Sequence, residues 1–198
     1  MIRHEVIGLV YTRRCPLACR HCITESSPAA SGKMRVEQAS QYLPVLARFT
    51  DSISFTGGEP LLYHKEIVEL TVLARTLGLG VRVVTGAGWV QDERTTRRKV
   101  SELARAGVAG MTISSDGYHE EFVSRDRPLL LARLAVAAGL DVRINTVVPA
   151  GAASAPLSSS AGATWQPVKL MRLGTARTLP HDQFHRTDGP PKGLAGPF

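Results

Sequence analysis

Three cysteines lie close together near the start of the sequence. Cys15, Cys19 and Cys22 are the only cysteines of the chain, and they follow an apolar segment in the spacing CxxxCxxC. A four-iron cluster needs a ligand on each iron, and cysteine thiolates are the usual ligands. One loop of this kind holds three irons and leaves the fourth open, as catalytic metal sites keep one exchangeable position. The spacing therefore predicts a [4Fe–4S] cluster with an open iron.

A zinc site and three unrelated thiols are the alternatives for these cysteines. Zinc motifs usually pair a CxxC with a second cysteine pair or with histidines further along the chain. This chain has no second pair, and His21 lies inside the loop itself. The pattern thus favours an iron–sulfur cluster.

A second motif, Gly57-Gly58-Glu59-Pro60, follows the short apolar segment 52–55. Adjacent glycines allow a backbone geometry and a close approach that side chains would block. Glu59 places a carboxylate beside that backbone, and Pro60 ends the strand. Alone, this motif is typical of an ordinary strand-to-loop turn. Together with the cysteine loop, it indicates a site for a small cation.

Taken together, the two motifs resemble those of the radical S-adenosylmethionine (SAM) superfamily, over about residues 5–177. The resemblance implies that the cysteines bind a [4Fe–4S] cluster, that SAM is the second cofactor, and that Gly57–Pro60 contacts the methionine amino group. In this superfamily one electron from the cluster cleaves SAM to a 5′-deoxyadenosyl radical, which abstracts a hydrogen atom from a substrate. The resemblance thus implies an enzyme of radical chemistry.

Further candidate cofactor-binding residues follow the predicted strands. Ser114 and Asp116 stand in a Ser-x-Asp-Gly segment that resembles the part of the superfamily contacting the nucleoside or the methionine carboxylate; a polar turn is the alternative. By resemblance Arg125 or Arg127 binds the methionine carboxylate, and the spacing does not choose between them. The remaining candidates, for the adenosine pocket and the barrel interior, are Thr85, Asn145 and Leu173.

No catalytic residue is assigned beyond the cluster ligands. Tyr118 and His119 are candidates for touching substrate or relaying a proton; a structural histidine at a helix start is the alternative. Segment 174–176 reads Gly-Thr-Ala where the superfamily usually has Gly-Arg-Ala. Thr175 thus stands in place of the arginine at the adenine contact that the resemblance implies.

The chain alternates strand and helix patterns. The predicted strands are 5–11, 52–55, 81–84, 110–114, 141–148 and 168–172, and the predicted helices are 35–48, 65–77, 92–106 and 120–138. Repeated units of this kind imply a parallel sheet. Six units are too few for an eight-stranded barrel, and the resemblance implies a single-domain α/β fold, a partial (β/α)6 parallel barrel. Every motif lies at the C-terminal end of a strand, where β/α barrels place their active sites.

Two segments depart from this pattern. The small-residue-rich stretch 150–163 predicts a short helix or a mobile loop. The barrel domain is predicted to comprise residues 1–178, and the Pro- and Gly-rich tail 179–198 to be extended or disordered. Many peptide-modifying members of the superfamily continue into a cysteine-rich domain with auxiliary clusters. This chain has no cysteine after Cys22, so its own thiols cannot hold one.

Composition limits the class of protein. The chain has 198 residues, a net charge of +7 and 43% hydrophobic residues. It contains no apolar run of about 18 residues, which argues against a membrane helix, and no signal peptide pattern. Its thiols and an oxygen-sensitive cluster favour the cytoplasm. Because the basic residues lie along helices and aromatic content is only 6%, the sequence disfavours nucleic acid as a partner.

The sequence therefore predicts a radical SAM enzyme that acts on a peptide or natural-product precursor, or another small molecule. Its electron would come from an external one-electron donor such as flavodoxin or ferredoxin. A compact deazapurine-forming or glycyl-radical-activating enzyme is one alternative. A non-catalytic or truncated iron–sulfur protein, acting as cluster carrier or partner subunit, is another.

Overall fold

The structure, a computed structural model, describes residues 3–152 and 162–185. Its strands are β1 Ile7–Thr12, β2 Ser52–Gly57, β3 Gly80–Thr85, β4 Val108–Ser114, β5 Asp141–Val148 and β6 Thr164–Lys169. Its helices are α1 Val36–Leu46, α2 His64–Thr76, α3 Glu93–Ala106, α4 Gly117–Glu120 and α5 Asp126–Ala137. Short 3-10 turns cover Pro60–Tyr63, Gly174–Thr178 and His181–Gln183.

The six strands form one sheet in the order β1-β2-β3-β4-β5-β6, and every neighbouring pair is parallel. All strands therefore end at the same rim, as in a β/α barrel. The predicted α/β architecture of a partial barrel with six strands is confirmed.

Side chains alternate between the two faces of the sheet. One face is buried in the main core against the helices and includes Phe55, Val83, Ile113 and Ile144. The opposite face forms the barrel interior and includes Thr56, Val84, Ser114 and Val147, which line a cavity. In β5, Val142 and Ile144 lie on the helix side and are buried in that core.

The third helix begins and ends as its sequence predicts. The Asp92 carboxylate accepts a hydrogen bond from the Thr95 amide at 2.8 Å, which satisfies a free donor of the first turn. Gly107 follows the helix with φ of 102°, a left-handed conformation that glycine adopts readily.

The predicted helix 120–138 is two helices in the structure, α4 and α5. Pro128 lies in the first turn of α5 and is buried. The amides of a first turn have no partner within the helix, so the missing proline N–H costs nothing there. Pro128 therefore starts a helix rather than breaking one.

Strand β6 lies earlier in the chain than the predicted range 168–172. It pairs with β5 from Arg143–Thr164 to Val148–Lys169, and both strands end at that last pair. Leu170 is buried in a separate small cluster with Tyr118, Ala176 and Leu179. Tertiary pairing, rather than local β propensity, thus sets the position of this strand.

The first part of the predicted tail packs on the barrel. Leu179 is buried, the Tyr118 hydroxyl donates to Gln183 at 2.8 Å, and His185 Nε2 donates to the Val148 carbonyl at 2.8 Å. Residues 179–185 therefore differ from the expected extended or disordered tail. Residues 186–198, and 153–161 of the small-residue-rich stretch, lie outside the described residues. Across the described ranges, no helix combines the length and apolar character needed to cross a bilayer.

Candidate active site

A cavity of about 420 Å³ opens at the C-terminal ends of the strands. Its wall contains all three cysteines, Gly57 and Gly58 of the second motif, and residues from the ends of β2 to β6. Two motifs that lie more than thirty residues apart in the sequence thus face the same space.

The three cysteines are free and close enough to affect one another's ionisation. Burial raises the pKa of the Cys15 and Cys19 thiols to about 12 each, and the neighbouring thiols add to the effect. A thiolate here therefore needs a nearby cation, which the irons of a cluster supply. Backbone amides already point at two of the sulfurs: Leu17 N lies 3.5 Å from Cys15 Sγ, and Ser26 N lies 3.3 Å from Cys22 Sγ. These residues fit a [4Fe–4S] cluster.

The two glycines of the second motif pack on the backbone that leads into the cysteine loop. Gly58 N donates to the Thr12 carbonyl at 2.7 Å, and Glu59 N donates to the Arg14 carbonyl at 2.9 Å. A Cβ atom on Gly57 would lie 2.3 Å from the Thr12 oxygen, and one on Gly58 would lie 2.3 Å from the Arg14 oxygen. Only glycine allows this approach, so the double glycine fixes the cysteine loop to β2.

Segment 174–176 holds the cysteine loop from the other side. The Thr175 amide donates to the Cys22 carbonyl at 3.0 Å, and its hydroxyl lies 3.1 Å and 3.3 Å from the carbonyls of Cys22 and Cys19. A Cβ atom on Gly174 would lie 2.2 Å from the Cys22 oxygen. Sequence reasoning missed this supporting role, because the partner carbonyls are more than 150 residues away in the chain. Leu173 does not line the cavity.

Glu59 is fully buried and lies behind the cavity wall. Its Oε1 accepts from the Leu61 amide at 3.1 Å, and its Oε2 accepts from the Thr85 hydroxyl at 2.7 Å and the Gly86 amide at 3.2 Å. Glu59 thereby ties the second motif to the end of β3. Pro60 is buried beside it and does not line the cavity.

Thr85 lines the cavity, but its hydroxyl is already occupied. It donates to Glu59 and accepts from the Trp89 indole and the Ala87 amide, each at 3.0 Å. A hydroxyl has one proton and two lone pairs. Only the rest of the Thr85 side chain remains to contact a ligand.

The Glu59 carboxyl predicts a pH-dependent stability. Burial raises its pKa from 4.5 to about 7, against the hydrogen bonds from Thr85, Leu61 and Gly86. The stability that the neutral form contributes is therefore fully present below the unfolded pKa and is lost as pH rises through about 7. From about pH 5.5 to about pH 8.5 we expect this group to lower the free energy of unfolding by about 2 kcal/mol.

Urea unfolding of the wild type, Glu59→Gln and the exposed control Glu69→Gln at both pH values measures this effect. We expect the free energy of unfolding of Glu59→Gln not to show this fall between the two pH values. Glu69→Gln should show the same fall as the wild type. Parallel pH curves for the wild type and Glu59→Gln would contradict the assignment.

Asp116 organises a second group of side chains beside the cysteines. Its carboxylate accepts from the amides of Tyr118, His119 and Val147 at 3.0, 3.2 and 3.3 Å, and it lies 2.9 Å from His119 Nδ1. Burial alone would raise the pKa of Asp116, but the His119 hydrogen bond and the other contacts outweigh it and lower the pKa. Asp116 is thus a buried carboxylate that joins α4 to β5.

Two histidines flank Asp116. Burial lowers the pKa of His21 to about 4, which keeps the ring neutral near pH 7 although Asp116 lies 3.6 Å away. The His21 ring stacks on Tyr118 with centroids 4.6 Å apart. The ligand atoms of Cys19, His21 and His119 lie within 4.8 Å of one another. His119 lines the cavity and Tyr118 does not.

The other predicted residues differ in whether they line the cavity. Ser114 lines it, and Asn145 is its register neighbour on β5, with a buried Oδ1 that has no hydrogen-bond partner among the described residues. Arg125 and Arg127 are exposed and outside the lining. The Arg125 guanidinium stacks 5.7 Å from the Trp165 ring centroid. Among the lining residues that the structure describes, Lys169 is the one with a lysine or arginine side chain. Sequence reasoning missed it.

Comparison with known proteins agrees with this geometry. Residues 9–150 match the family described as the Radical SAM superfamily. The GTP 3′,8-cyclase of Chlorobaculum tepidum is 32% identical over 157 residues, which cover 74% of this chain and 46% of that protein. The putative peptide biosynthesis protein YydG of Bacillus subtilis is 23% identical, with 92% of this chain and 60% of that protein covered.

The fold is similar to that of SuiB from Streptococcus suis. The structure of SuiB bound to S-adenosylmethionine gives a TM-score of 0.58 at 21% identity and covers 76% of this chain and 35% of SuiB. The structure of SuiB bound to the precursor peptide SuiA gives a TM-score of 0.57 at 20% identity, with 76% and 34% covered. The chain thus spans 60% or less of the length of each of these relatives.

Proposed function

The chain belongs to the radical SAM superfamily, whose members are enzymes with a [4Fe–4S] cluster and SAM as cofactors, and on this premise we propose that it generates a 5′-deoxyadenosyl radical for hydrogen abstraction. When bound, these cofactors supply the one-electron reduction and the radical chemistry. The observation that carries the proposal is the single cavity that contains Cys15, Cys19, Cys22 and the backbone of Gly57 and Gly58.

The residues of the chain have separate tasks in this proposal. The three thiolates hold the cluster, and the Gly57 backbone receives the methionine amino group of SAM. Glu59 supports that backbone from behind rather than contacting the ligand, because its oxygens accept hydrogen bonds from Leu61, Thr85 and Gly86. The proposal therefore assigns Glu59 a positioning role.

Other parts of the cavity wall supply further polar groups. Ser114, His119 and Lys169 line it. Lys169 is a better candidate for the methionine carboxylate than Arg125 or Arg127, which lie outside the lining. A lysine ammonium at the cavity wall pairs well with a carboxylate.

We propose a peptide or natural-product precursor as substrate. YydG is named as a putative peptide biosynthesis protein, and SuiB was solved with its precursor peptide. The cavity also has apolar lining residues suited to an uncharged side chain, among them Val10, Ile23, Val168, Leu170 and Met171. Ile23 and Met171 are 60% and 54% exposed, so an entering chain would reach them. The electron would come from an external donor such as flavodoxin or ferredoxin.

The test is anaerobic turnover of SAM. The protein is reconstituted with iron and sulfide, reduced with dithionite and given SAM, and 5′-deoxyadenosine is measured by chromatography. We expect product from the wild type and none from Cys19→Ala, because the cluster loses one of its three thiolates.

The packing control is Val123→Ala. Val123 and Cys19 belong to the same small buried cluster, so this variant loses packing and keeps the thiolate. We expect it to retain most of the product. A cluster spectrum without 5′-deoxyadenosine would favour the cluster-carrier alternative, and a protein that takes up no iron would overturn the proposal.

A further inference from the structure

The Thr24 hydroxyl lies between the two motifs of the candidate site. Its Oγ1 is 3.4 Å from Cys22 Sγ, 3.2 Å from the Gly57 carbonyl oxygen and 2.9 Å from Ser26 Oγ. Thr24 is half-buried and lines the cavity together with these three residues. One hydroxyl thus contacts both a cysteine of the loop and a glycine of the second motif.

These contacts cannot all receive the Thr24 proton. A hydroxyl has one proton to donate and two lone pairs to accept. Ser26 has its own proton and can donate it to Thr24. The Gly57 carbonyl and a Cys22 thiolate are both acceptors, so they compete for the single Thr24 proton. The Gly57 carbonyl can only accept, so the 3.2 Å contact to it uses the Thr24 proton.

We propose that Thr24 couples ligand binding at Gly57 to the ease of reducing the cluster held by Cys22. This inference rests on the proposed function, in which the methionine ammonium of SAM donates to the Gly57 carbonyl. A carbonyl oxygen has two lone pairs, but the charged ammonium is the stronger donor and weakens the bond from the Thr24 hydroxyl. The Thr24 hydroxyl then rotates to donate to Cys22 Sγ. No covalent bond changes in this step.

Hydrogen bonds to cluster sulfurs are one of the factors that set reduction potentials. A new donor at Cys22 Sγ stabilises the added electron, so ligand binding raises the potential. The Ser26 amide, 3.3 Å from Cys22 Sγ, donates in both states and provides a constant background. The hydrogen-bond contribution to the ligand-dependent change therefore comes from Thr24, in addition to the direct effect of the SAM charge on the cluster.

Linkage makes this coupling measurable in two ways. If SAM raises the potential, it must bind the reduced cluster more tightly than the oxidised one by the matching factor. The cluster potential is measured by spectroelectrochemistry with and without SAM, and SAM dissociation constants are measured for both oxidation states. The proteins are the reconstituted wild type, Thr24→Val, Thr24→Ser and the control Thr146→Val.

SAM has one dissociation constant for the oxidised cluster and one for the reduced cluster. We expect Thr24→Val to reduce the ratio of the first to the second about tenfold. For one electron, this corresponds to a SAM-induced shift of the potential that is smaller by about 59 mV. Thr24→Ser keeps the hydroxyl and should keep the wild-type shift. Thr146→Val removes a hydroxyl that donates to the Ser115 carbonyl at 2.8 Å, without a contact to the cysteines, and should also keep it.

An unchanged SAM-induced shift of the potential in Thr24→Val would overturn this inference and leave the proposed function standing. An equal fall of SAM affinity in both oxidation states would not rescue it, because a purely structural threonine would give that result. Cluster-loaded wild type that binds no SAM would overturn the proposed function and this inference with it.

Discussion

Gly57→Ala is expected to abolish cluster binding. Gly57 has φ of 119°, and a Cβ atom there would lie 2.3 Å from the Thr12 carbonyl oxygen. The strained backbone costs about 1–3 kcal/mol, and forcing a methyl group into packed backbone costs about 1–3 kcal/mol more. Relief of the clash moves β2 away from the stem of the cysteine loop, so the three thiols lose their common position. Iron and sulfide content after reconstitution, with thermal melts, measures both effects.

Gly139→Ala is the matched control for the cost of placing alanine at a positive φ. Gly139 has φ of 85°, but a Cβ atom there meets nothing within 4 Å. This variant should lose about 1 kcal/mol of stability and bind iron normally. If both glycine variants kept full iron content, close approach at Gly57 would not be what holds the loop.

Asp116→Ala is expected to have the second large effect. The change removes the acceptor of three backbone amides and of the His119 ring. The His119 amide keeps the Asp116 carbonyl at 3.0 Å, but the Tyr118 and Val147 amides and the His119 ring lose their acceptor. Each buried donor left without a partner costs about 1–3 kcal/mol, so we expect a loss of about 3 kcal/mol or more. SAM affinity should fall as well, since Asp116 fixes His119 at the cavity wall.

Asp92→Ala is its control, because Asp92 also precedes a helix but is exposed and accepts from the Thr95 amide. Loss of such a cap costs about 1 kcal/mol. Urea unfolding of both variants, with SAM binding to the reconstituted proteins, separates the two roles. If Asp116→Ala and Asp92→Ala lost equal stability and SAM affinity were unchanged, Asp116 would act only as a helix cap.

Acid should remove the Asp116 contribution in the wild type. Its pKa in the fold lies below the ordinary value, because the His119 hydrogen bond and neighbouring groups outweigh the effect of burial. The stabilisation is therefore fully present above the unfolded pKa of about 4 and is lost as pH falls through the folded-state pKa. This dependence is opposite in sign to that of Glu59.

The pKa values of these two buried carboxyl groups are thus shifted in opposite directions, although both groups lie at strand ends. Glu59 accepts from two amides and a hydroxyl, and its burial dominates. Asp116 accepts from three amides and lies against a histidine ring, and its hydrogen bonds dominate. The resemblance implies cofactor binding for both, and we propose positioning roles around the cavity for both.

Features that depend on neighbours in the sequence were predictable from it. The spacing of the cysteines, the double glycine, the alternation of β5 and the Asp92 cap all arise within a few residues. Backbone geometry and side-chain period are local properties, so they can be read without knowing what lies across the fold.

Features that depend on distant partners were decided by the tertiary structure. Glu59 turns behind the cavity wall because Thr85, which is 26 residues away, donates to it. Thr24 reaches Gly57 across 33 residues, and β6 begins where β5 offers it hydrogen bonds. The direction of a polar side chain at a strand end is set by which donors and acceptors surround it. Local sequence thus specifies which motifs this protein has, and the packing of distant segments sets which of their atoms face the cavity.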